Sequence, residues 1–568
     1  MNSAFDFETF AERFLPGIAQ GLKVVFEWTG SNHRYVRDRK GDFMAYKVLV
    51  TEKVDKACIN ALRTRGCEVT QRTDLTEEQL IECVNGFDAM VVRSHTPVTR
   101  AVIEAGRSIK VIGRAGVSID NIDVAAATER GVIVCNAPTS NIVSAAEFAM
   151  SLILACARKL PQANASMHAG QWGTSFDGRE LYEKTLAIVG LGRVGGLVAE
   201  RASAFGMKIV GYDPYCNADR ANALGVTLYD DIEALLPIAD VITVHVPRTS
   251  ETRGMFGPNE FAAMKDGVIL VNIARGGIFD EKSLADFVAA GKIGAVGLDA
   301  FDEEPCTTSP LRDFDNVIIT PHIGAATAEA QRRAGVQIAM YVTAGLAGSL
   351  VPTAVNMAPV PPEVLDAVGP YVPACQMLGS LLAQISPTIP KNLKLTASGN
   401  IAAADTTVLV ASVLKGLLAY KNGITVTPVN AEQVAKRHGI EVTTASDSTA
   451  LGYFSSVSIV ADGIEASCTR TDPGRPARII SLFGYDMDIE PGDQSLIFEY
   501  GDGSGRIGVI GTILGAHDVN ITTMKIGTRE DSDRAVVYMN VEGDVTEAIM
   551  DELREGISDL KNLWYVKM

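Results

Sequence analysis

The 568 residues exceed what one hydrophobic core can serve, so about three to five domains are expected, and a 47% apolar share is ample for globular packing. A formal charge of −17 argues against non-specific nucleic-acid binding and against adhesion to anionic membranes, and it requires any anion site to be locally basic. The nine cysteines are scattered, with no CxxC and no metal-ligand spacing, and read as reduced thiols in a cytoplasmic protein; no apolar run reaches the ~18 residues of a membrane-spanning helix.

Residues 1–43 mix aromatics and acids with a basic patch at Arg34, Arg37, Arg39 and Lys40. They carry no apolar signal region and no cleavage site, so they are not a secretory signal. Met44 precedes a clean strand, and the preferred reading makes it the true start; a genuine extension is the alternative. Residues 1–44 are assigned no function.

From residue 46 to about 141, short β-branched runs (48–50, 68–70, 89–92, 110–112 and 132–134) alternate with helical stretches. This βαβ pattern predicts a parallel sheet with right-handed crossovers. Polar loops follow the strands: Arg93-Ser94-His95, Gly113-Arg114-Ala-Gly116 and Asn136 to Asn141. A long helix is expected from 144 to about 159. A second α/β block starts at Thr185, with strands at 186–189, 208–212, 241–246, 268–272, 294–298 and 317–320. A helix from about 326 to 346 closes it. Two such lobes imply a ligand cleft between them.

Pro359, Pro361 and Pro362 mark a boundary, and the mixed segment to about 490 carries no catalytic signature. Beyond Pro491 the order is strand 495–500, helix 506–516, strands 520–526 and 535–540, helix 546–556 and strand 564–566, the βαββαβ order of a ferredoxin-like unit.

Gly190, Gly192 and Gly195 fit G-x-G-x-x-G between a strand and a helix, and Asp213 ends the next strand. The glycines allow a tight turn and close backbone approach to a pyrophosphate. Asp213 can accept from a ribose diol and would repel a 2′-phosphate, which favours NAD over NADP. Arg275, Glu304 and His322 each follow a strand of the same block, at the edge where parallel sheets bind ligands. Imidazole exchanges a proton near neutrality, as oxidising an alcohol requires. A neighbouring carboxylate would orient it; Glu304 is the candidate, with Asp302 and Glu303 competing on spacing alone. The guanidinium of Arg275 can grip a carboxylate. Arg93 and Arg114 are either surface charges or anion clamps, and their place at strand ends favours the clamp. A solvated acidic turn, a core histidine and a surface ion pair are the bland alternatives.

Gly190 to Gly195, Gly211-Tyr-Asp-Pro214, Asn272 to Gly277, Asp302-Glu-Glu-Pro305 and Pro321 to Thr327 resemble the D-isomer-specific 2-hydroxyacid dehydrogenases. Gly113 to Gly116 and Asn136 to Asn141 resemble the branch of that family acting on 3-phosphoglycerate, and the likeness runs from about Tyr46 to Met568. It implies two Rossmann-like lobes, 45–141 with 326–355 for substrate and 142–325 for NAD. An α+β intervening domain at 356–490, implicated in a second anion-sensitive effector site, and an amino-acid-binding ACT domain at 491–568 would follow. The implied catalytic set is Arg275, Glu304 (the acid directly before Pro305) and His322. The implied NAD contacts add Arg193, Val194, Val246, Ile273, Asp299 and Gly324 to the glycines and Asp213. Arg93, Ser94, Arg114 and Asn141 would hold substrate, and Tyr500, Asp502 and Asn520 would hold L-serine as effector. The implied assembly is a homotetramer. Ser118 departs from the family's usual glycine, and Gly503-Ser-Gly505 from its usual proline-glycine. The rivals are another D-2-hydroxyacid dehydrogenase or 2-oxoacid reductase, and a nucleotide-sensing corepressor on the same fold.

Overall fold

The computed structural model describes residues 45–173, 175–349, 351–357, 362–422, 426–449, 452–470 and 476–568. The segment 1–44 lies outside the described residues. The first sheet contains β1 (Lys47–Val50), β2 (Glu68–Gln71), β3 (Ala89–Val92), β4 (Val111–Arg114) and β5 (Ile133–Asn136), in the order β2-β1-β3-β4-β5. All its pairings are parallel. Helices cover both faces of such a sheet, so a central strand is apolar on both sides, and β3 buries every residue.

The second sheet contains β6 (Thr185–Val189), β7 (Lys208–Tyr212), β8 (Thr227–Tyr229), β9 (Val241–Val244), β10 (Val268–Asn272), β11 (Ile293–Leu298) and β12 (Val317–Ile319). The order is β12-β11-β10-β9-β6-β7-β8, again parallel. The winding reverses between β6 and β9, which puts the topological switch point beside the Gly190 turn.

The chain crosses between these lobes twice. Helix Ile142–Arg158 buries Ala149, Ile153 and Cys156 in the second lobe. Helix Ala328–Leu346 buries Ile338, Ala339 and Val342 in the first. The crossings meet where the Ser144 and Thr327 hydroxyls lie 2.7 Å apart. Arg333 Nε donates to the Ser140 carbonyl nearby, at 2.8 Å.

A third sheet holds β13 (Asn392–Gly399), β14 (Glu441–Asp447), β15 (Ser455–Ala461), β16 (Ile464–Thr469), β17 (Arg478–Leu482) and β18 (Tyr485–Ile489), ordered β14-β13-β15-β16-β17-β18. It packs on helices Val372–Ile385 and Thr407–Asn422. The fourth sheet holds β19 (Gln494–Gly501), β20 (Asn520–Thr528), β21 (Arg534–Glu542) and β22 (Leu560–Lys567), ordered β20-β21-β19-β22 and antiparallel throughout. With helices Arg506–Ala516 and Glu547–Gly556 this is the expected βαββαβ unit. Alternation along β21 serves two cores at once. Val537 and Met539 face the unit's own helices, while Val536 and Tyr538 join the core of the preceding domain.

Strand boundaries differ in places from expectation. β4 and β5 run on to Arg114 and Asn136, because the ladder pairs these two polar residues with each other. β22 starts at Leu560 rather than 564, since Lys561 Nζ and Asn562 Nδ2 both reach the Glu499 carboxylate, at 2.7 and 2.8 Å. The short edge strand β8 carries no clear pattern in the sequence.

One carboxylate ties the lower ends of the second sheet together. Asp240 Oδ2 accepts from Thr185 N–H at 2.8 Å, and Oδ1 lies 3.0 Å from Lys265 Nζ. Partial burial raises its carboxyl pKa, but these donors prevail and hold it below the usual range. A depressed folded-state pKa contributes stability above the unfolded value and loses it as pH falls through the folded one. Asp240→Asn should therefore cost about 1 kcal/mol at neutral pH, and denaturant titrations should find the gap closing as pH falls below the ordinary aspartate range.

Candidate active site

The upper ends of β11 and β12 are joined by Asp299, which is 1% exposed. Its carboxylate accepts from the Thr320 hydroxyl (2.7 Å), Ile323 N–H (2.8 Å) and Gly324 N–H (2.7 Å). These bonds fold the loop after β12 back over the sheet and hold His322 in a left-handed conformation, φ 54°. Such a φ is costly for a residue with a Cβ and persists only when its surroundings dictate it.

The imidazole presented this way meets Glu304, whose Oε2 lies 2.7 Å from His322 Nδ1. Glu304 Oε1 accepts the Phe301 N–H at 3.1 Å, which fixes the carboxylate from the other side. The two competing acids sit differently. Asp302 receives Arg248 Nη1 at 3.3 Å, and its N–H goes to Glu281 at 3.0 Å. Glu303 is exposed. With Nδ1 turned to Glu304, Nε2 is the nitrogen left for a ligand.

Arg275 follows β10. Buried Asn272 shapes its turn, accepting from Ala274 N–H at 2.9 Å and donating to the Arg275 carbonyl at 2.8 Å. The next residue, Gly276, lies flush against the segment leading to Glu304. A Cβ there would fall 1.8 Å from the Phe301 carbonyl oxygen. The Arg275 turn and the Glu304 loop are thus built on one backbone contact.

At the glycine-rich turn, a Cβ on Gly195 would fall 2.0 Å from the Gly190 carbonyl oxygen, whereas nothing lies within 4 Å of one on Gly192. The turn is closed behind and open in front of the helix Arg193–Ala204, whose cap residue Gly192 makes no side-chain bond. This suits a pyrophosphate on free N–H groups. Asp213, just beyond β7, accepts from Leu191 N–H (2.8 Å) and Tyr215 N–H (2.9 Å), which holds its charge beside the turn. Arg193 opens the helix and is exposed, Val194 and Val246 are half-buried, and Ile273 is buried. Asp299 and Gly324 are bonded to each other. His245, between β9 and Val246, was not singled out in the sequence. Burial pushes its imidazole down to about 4, so it is neutral at ordinary pH, and its Nε2 lies 3.0 Å from the Thr243 hydroxyl.

In the first lobe, Arg114 ends β4 and folds over Gly116, where a Cβ would meet its guanidinium at 2.0 Å. Burial lowers its pKa most, the charge of Glu52 opposes that, and the like charges of Arg93 and Arg275 add to it. Arg275 of the second lobe therefore lies within electrostatic reach of Arg114 of the first. Arg114 Nε is buried and has no hydrogen-bond partner among the described residues. Ser94 is exposed, and Asn141 begins helix Ile142–Arg158 without a side-chain capping bond. Ser118 donates to Asp120 Oδ2 at 2.5 Å, so its hydroxyl is held within its own turn.

In the fourth-sheet unit, Tyr500 is buried at the end of β19, and burial, then the charge of Asp502, pushes its phenol up. Asp502 N–H donates to the Asp533 carbonyl at 2.7 Å. Asn520 opens β20 and is exposed; no hydrogen bond joins it to either residue among those described.

A family model described as the D-isomer specific 2-hydroxyacid dehydrogenase NAD binding domain matches residues 150–324. Another, the D-3-phosphoglycerate dehydrogenase intervening domain, matches 367–469. A D-3-phosphoglycerate dehydrogenase of Methanocaldococcus jannaschii is 41% identical over 525 residues, 92% of this chain and 100% of that protein. One from Bacillus subtilis is 36% identical over 513 residues, 89% and 97% of the two chains. The chain belongs to the D-3-phosphoglycerate dehydrogenase family. Its NAD-binding domain is that of the D-2-hydroxyacid dehydrogenases. Among solved structures, a putative D-isomer specific 2-hydroxyacid dehydrogenase from Polaromonas aligns with a TM-score of 0.52 at 26% identity, covering 55% of this chain and 100% of its own. A protein from Thermus thermophilus aligns at 0.51 and 32%, covering 54% and 99%.

Gly276→Ala should displace the Glu304 loop. Misplacing a reacting group by an ångström costs about 10²-fold, and initial rates of NADH formation should fall by that order while nucleotide binding, followed by fluorescence, is retained.

Proposed function

We propose that this chain oxidises D-3-phosphoglycerate to 3-phosphohydroxypyruvate with NAD, the opening step of the phosphorylated route to L-serine. The observation that carries the reading is the 2.7 Å contact between His322 and Glu304 at the edge shared by Arg275 and the nucleotide turn. His322 Nε2 takes the C2 hydroxyl proton. Glu304 holds Nδ1 and stabilises the imidazolium that results. The guanidinium of Arg275 pairs with the substrate carboxylate and polarises the carbonyl as it develops. NAD, when bound, supplies the acceptor for the C2 hydride. Gly190, Gly192, Arg193, Val194, Gly195, Asp213, Val246, Ile273, Asp299 and Gly324 are the residues we assign to holding it; the open face at Gly192 and the anchored Asp213 support this.

Arg93, Ser94, Arg114 and Asn141 are assigned to the substrate's anionic end. The unpartnered Arg114 Nε and the cluster of three arginines support that assignment in a chain of net charge −17. The domain division given above stands with the same proposal, supported by largely separate cores in the two lobes. L-serine is the proposed effector at Tyr500, Asp502 and Asn520, with Asp502 meeting the ammonium. A homotetramer is proposed, with Leu160, Met167 and Trp172 as one contact; their exposures of 61, 56 and 83% suit a surface covered by another subunit. No helix among the described residues is long and apolar enough to cross a membrane.

NADH formation from D-3-phosphoglycerate tests the reading, with D-glycerate as the unphosphorylated control. Turnover should favour the phosphorylated acid strongly, and His322→Ala should lower kcat by about 10²-fold or more. Unchanged turnover in that variant would remove His322 from the mechanism. L-serine should slow the intact enzyme and leave Asp502→Ala nearly uninhibited; equal inhibition of both would place the effector elsewhere.

A further inference from the structure

The loop carrying Arg93 and Ser94 closes around a carboxylate from its own chain. Glu52 lies just beyond β1, and its side chain is only 12% exposed. Its Oε1 accepts from the N–H groups of Arg93 (2.8 Å), His95 (3.2 Å) and Thr96 (3.0 Å). Its Oε2 lies 3.2 Å from His95 Nδ1. Convergent backbone N–H groups make an anion-binding concavity, and here the anion is built in. The carbonyl side of the same loop is pinned as well. Asn121 Nδ2 donates to the carbonyls of Arg93 (2.8 Å) and Thr96 (2.6 Å). The buried hydroxyls of Thr51 and Thr96 lie 2.9 Å apart beneath it.

Two consequences follow. Much of the loop's backbone bonding is committed inward, Arg93 Nη1 donates to the Lys53 carbonyl at 3.1 Å, and Ser94 is exposed on the fixed frame that results. The negative charge also sits where cations crowd. Arg114, largely buried, is repelled by Arg93 and Arg275, and the carboxylates of Glu52 and then Asp120 act in the opposite sense. A ligand's negative charge would do the same, but Glu52 does it before any ligand arrives.

We infer that Glu52 is the positioning residue for the substrate's anionic end, a resident counter-anion that preforms the 93–96 loop. This deepens, and rests on, the assignment of Arg93, Ser94 and Arg114 to the phosphorylated substrate. Preorganised donors bind an anion without first being ordered, so the effect belongs to affinity for that substrate.

Glu52→Gln keeps the volume, removes the charge and sets an amide N–H₂ among donors. In the full-length enzyme, KM for D-3-phosphoglycerate should rise about tenfold or more. KM for NAD and kcat at saturation should change by less than about threefold. Glu52→Asp, which keeps the charge, should recover part of the loss. Asn121→Ala, which frees the carbonyl side and leaves Glu52 in place, should raise the same KM and carries the test should Glu52→Gln fold poorly. An unchanged KM for phosphoglycerate in Glu52→Gln, or an equal rise in both KM values, overturns the proposal. Arg114→Ala with an unchanged KM for phosphoglycerate overturns instead the assignment beneath it.

Discussion

Burying the Asp299 carboxylate would cost several kcal/mol were its charge left without donors. Three donors from one short loop meet it, and meeting them dictates that loop's path. The loop must turn back at His322, through a left-handed φ that a side chain adopts only under constraint. The segment after Asp299 runs in the other direction to Glu304, which then lies 2.7 Å from the histidine it would tune. The geometry of the proposed acid–base pair thus descends from the need to satisfy one buried charge. Gly276 extends the constraint to Arg275, because no side chain fits between its backbone and that of Phe301.

The first lobe solves a related problem with the signs reversed. Arg114 feels the like charges of Arg93 and Arg275, and a buried guanidinium among like charges is unfavourable unless anions stand close. Glu52 stands there, at the end of β1 as Asp299 stands at the end of β11. In both lobes a carboxylate at a strand end organises a neighbouring strand's loop through its N–H groups. Parallel sheets favour this arrangement, since all their carboxyl ends lie on one edge and successive loops lie side by side.

Legibility in the sequence follows the range of the interactions. The lobes, the glycine-rich turn and the βαββαβ order rest on local periodicity and on short motifs, so they could be read directly. Spacing alone left Glu304 level with Asp302 and Glu303; only the fold shows Asp302 engaged with Arg248 and Glu281 while Glu304 meets His322. Glu52 and Asn121 carried no signal, because Glu52 acts on residues about forty positions away and Asn121 on carbonyls 25 and 28 away. The third sheet was opaque for a different reason. It mixes one parallel pairing with antiparallel ones, and it is completed by segments far apart in sequence.

The two appended domains are joined by packing rather than by a linker alone. Ile497, Val536, Tyr538 and Val566 of the fourth sheet belong to the same apolar core as helix Val372–Ile385. Gln384 on that helix also exchanges hydrogen bonds with the backbone of Lys567, each at 2.8 Å. With one face on its own helices and the other on its neighbour, this sheet cannot shift without disturbing close-packed surfaces on both sides. The neighbouring segment in turn reaches the first lobe, where the Thr427 hydroxyl donates to the Gly131 carbonyl at 2.7 Å and Val429 enters the core formed by β1 and β3. Contiguous packing therefore runs from the βαββαβ unit to the lobe that carries Arg93 and Arg114. A ligand that bound one arrangement of that unit better than another would have a physical route to the proposed anion site, and its leverage would be limited to its own difference in affinity for the two.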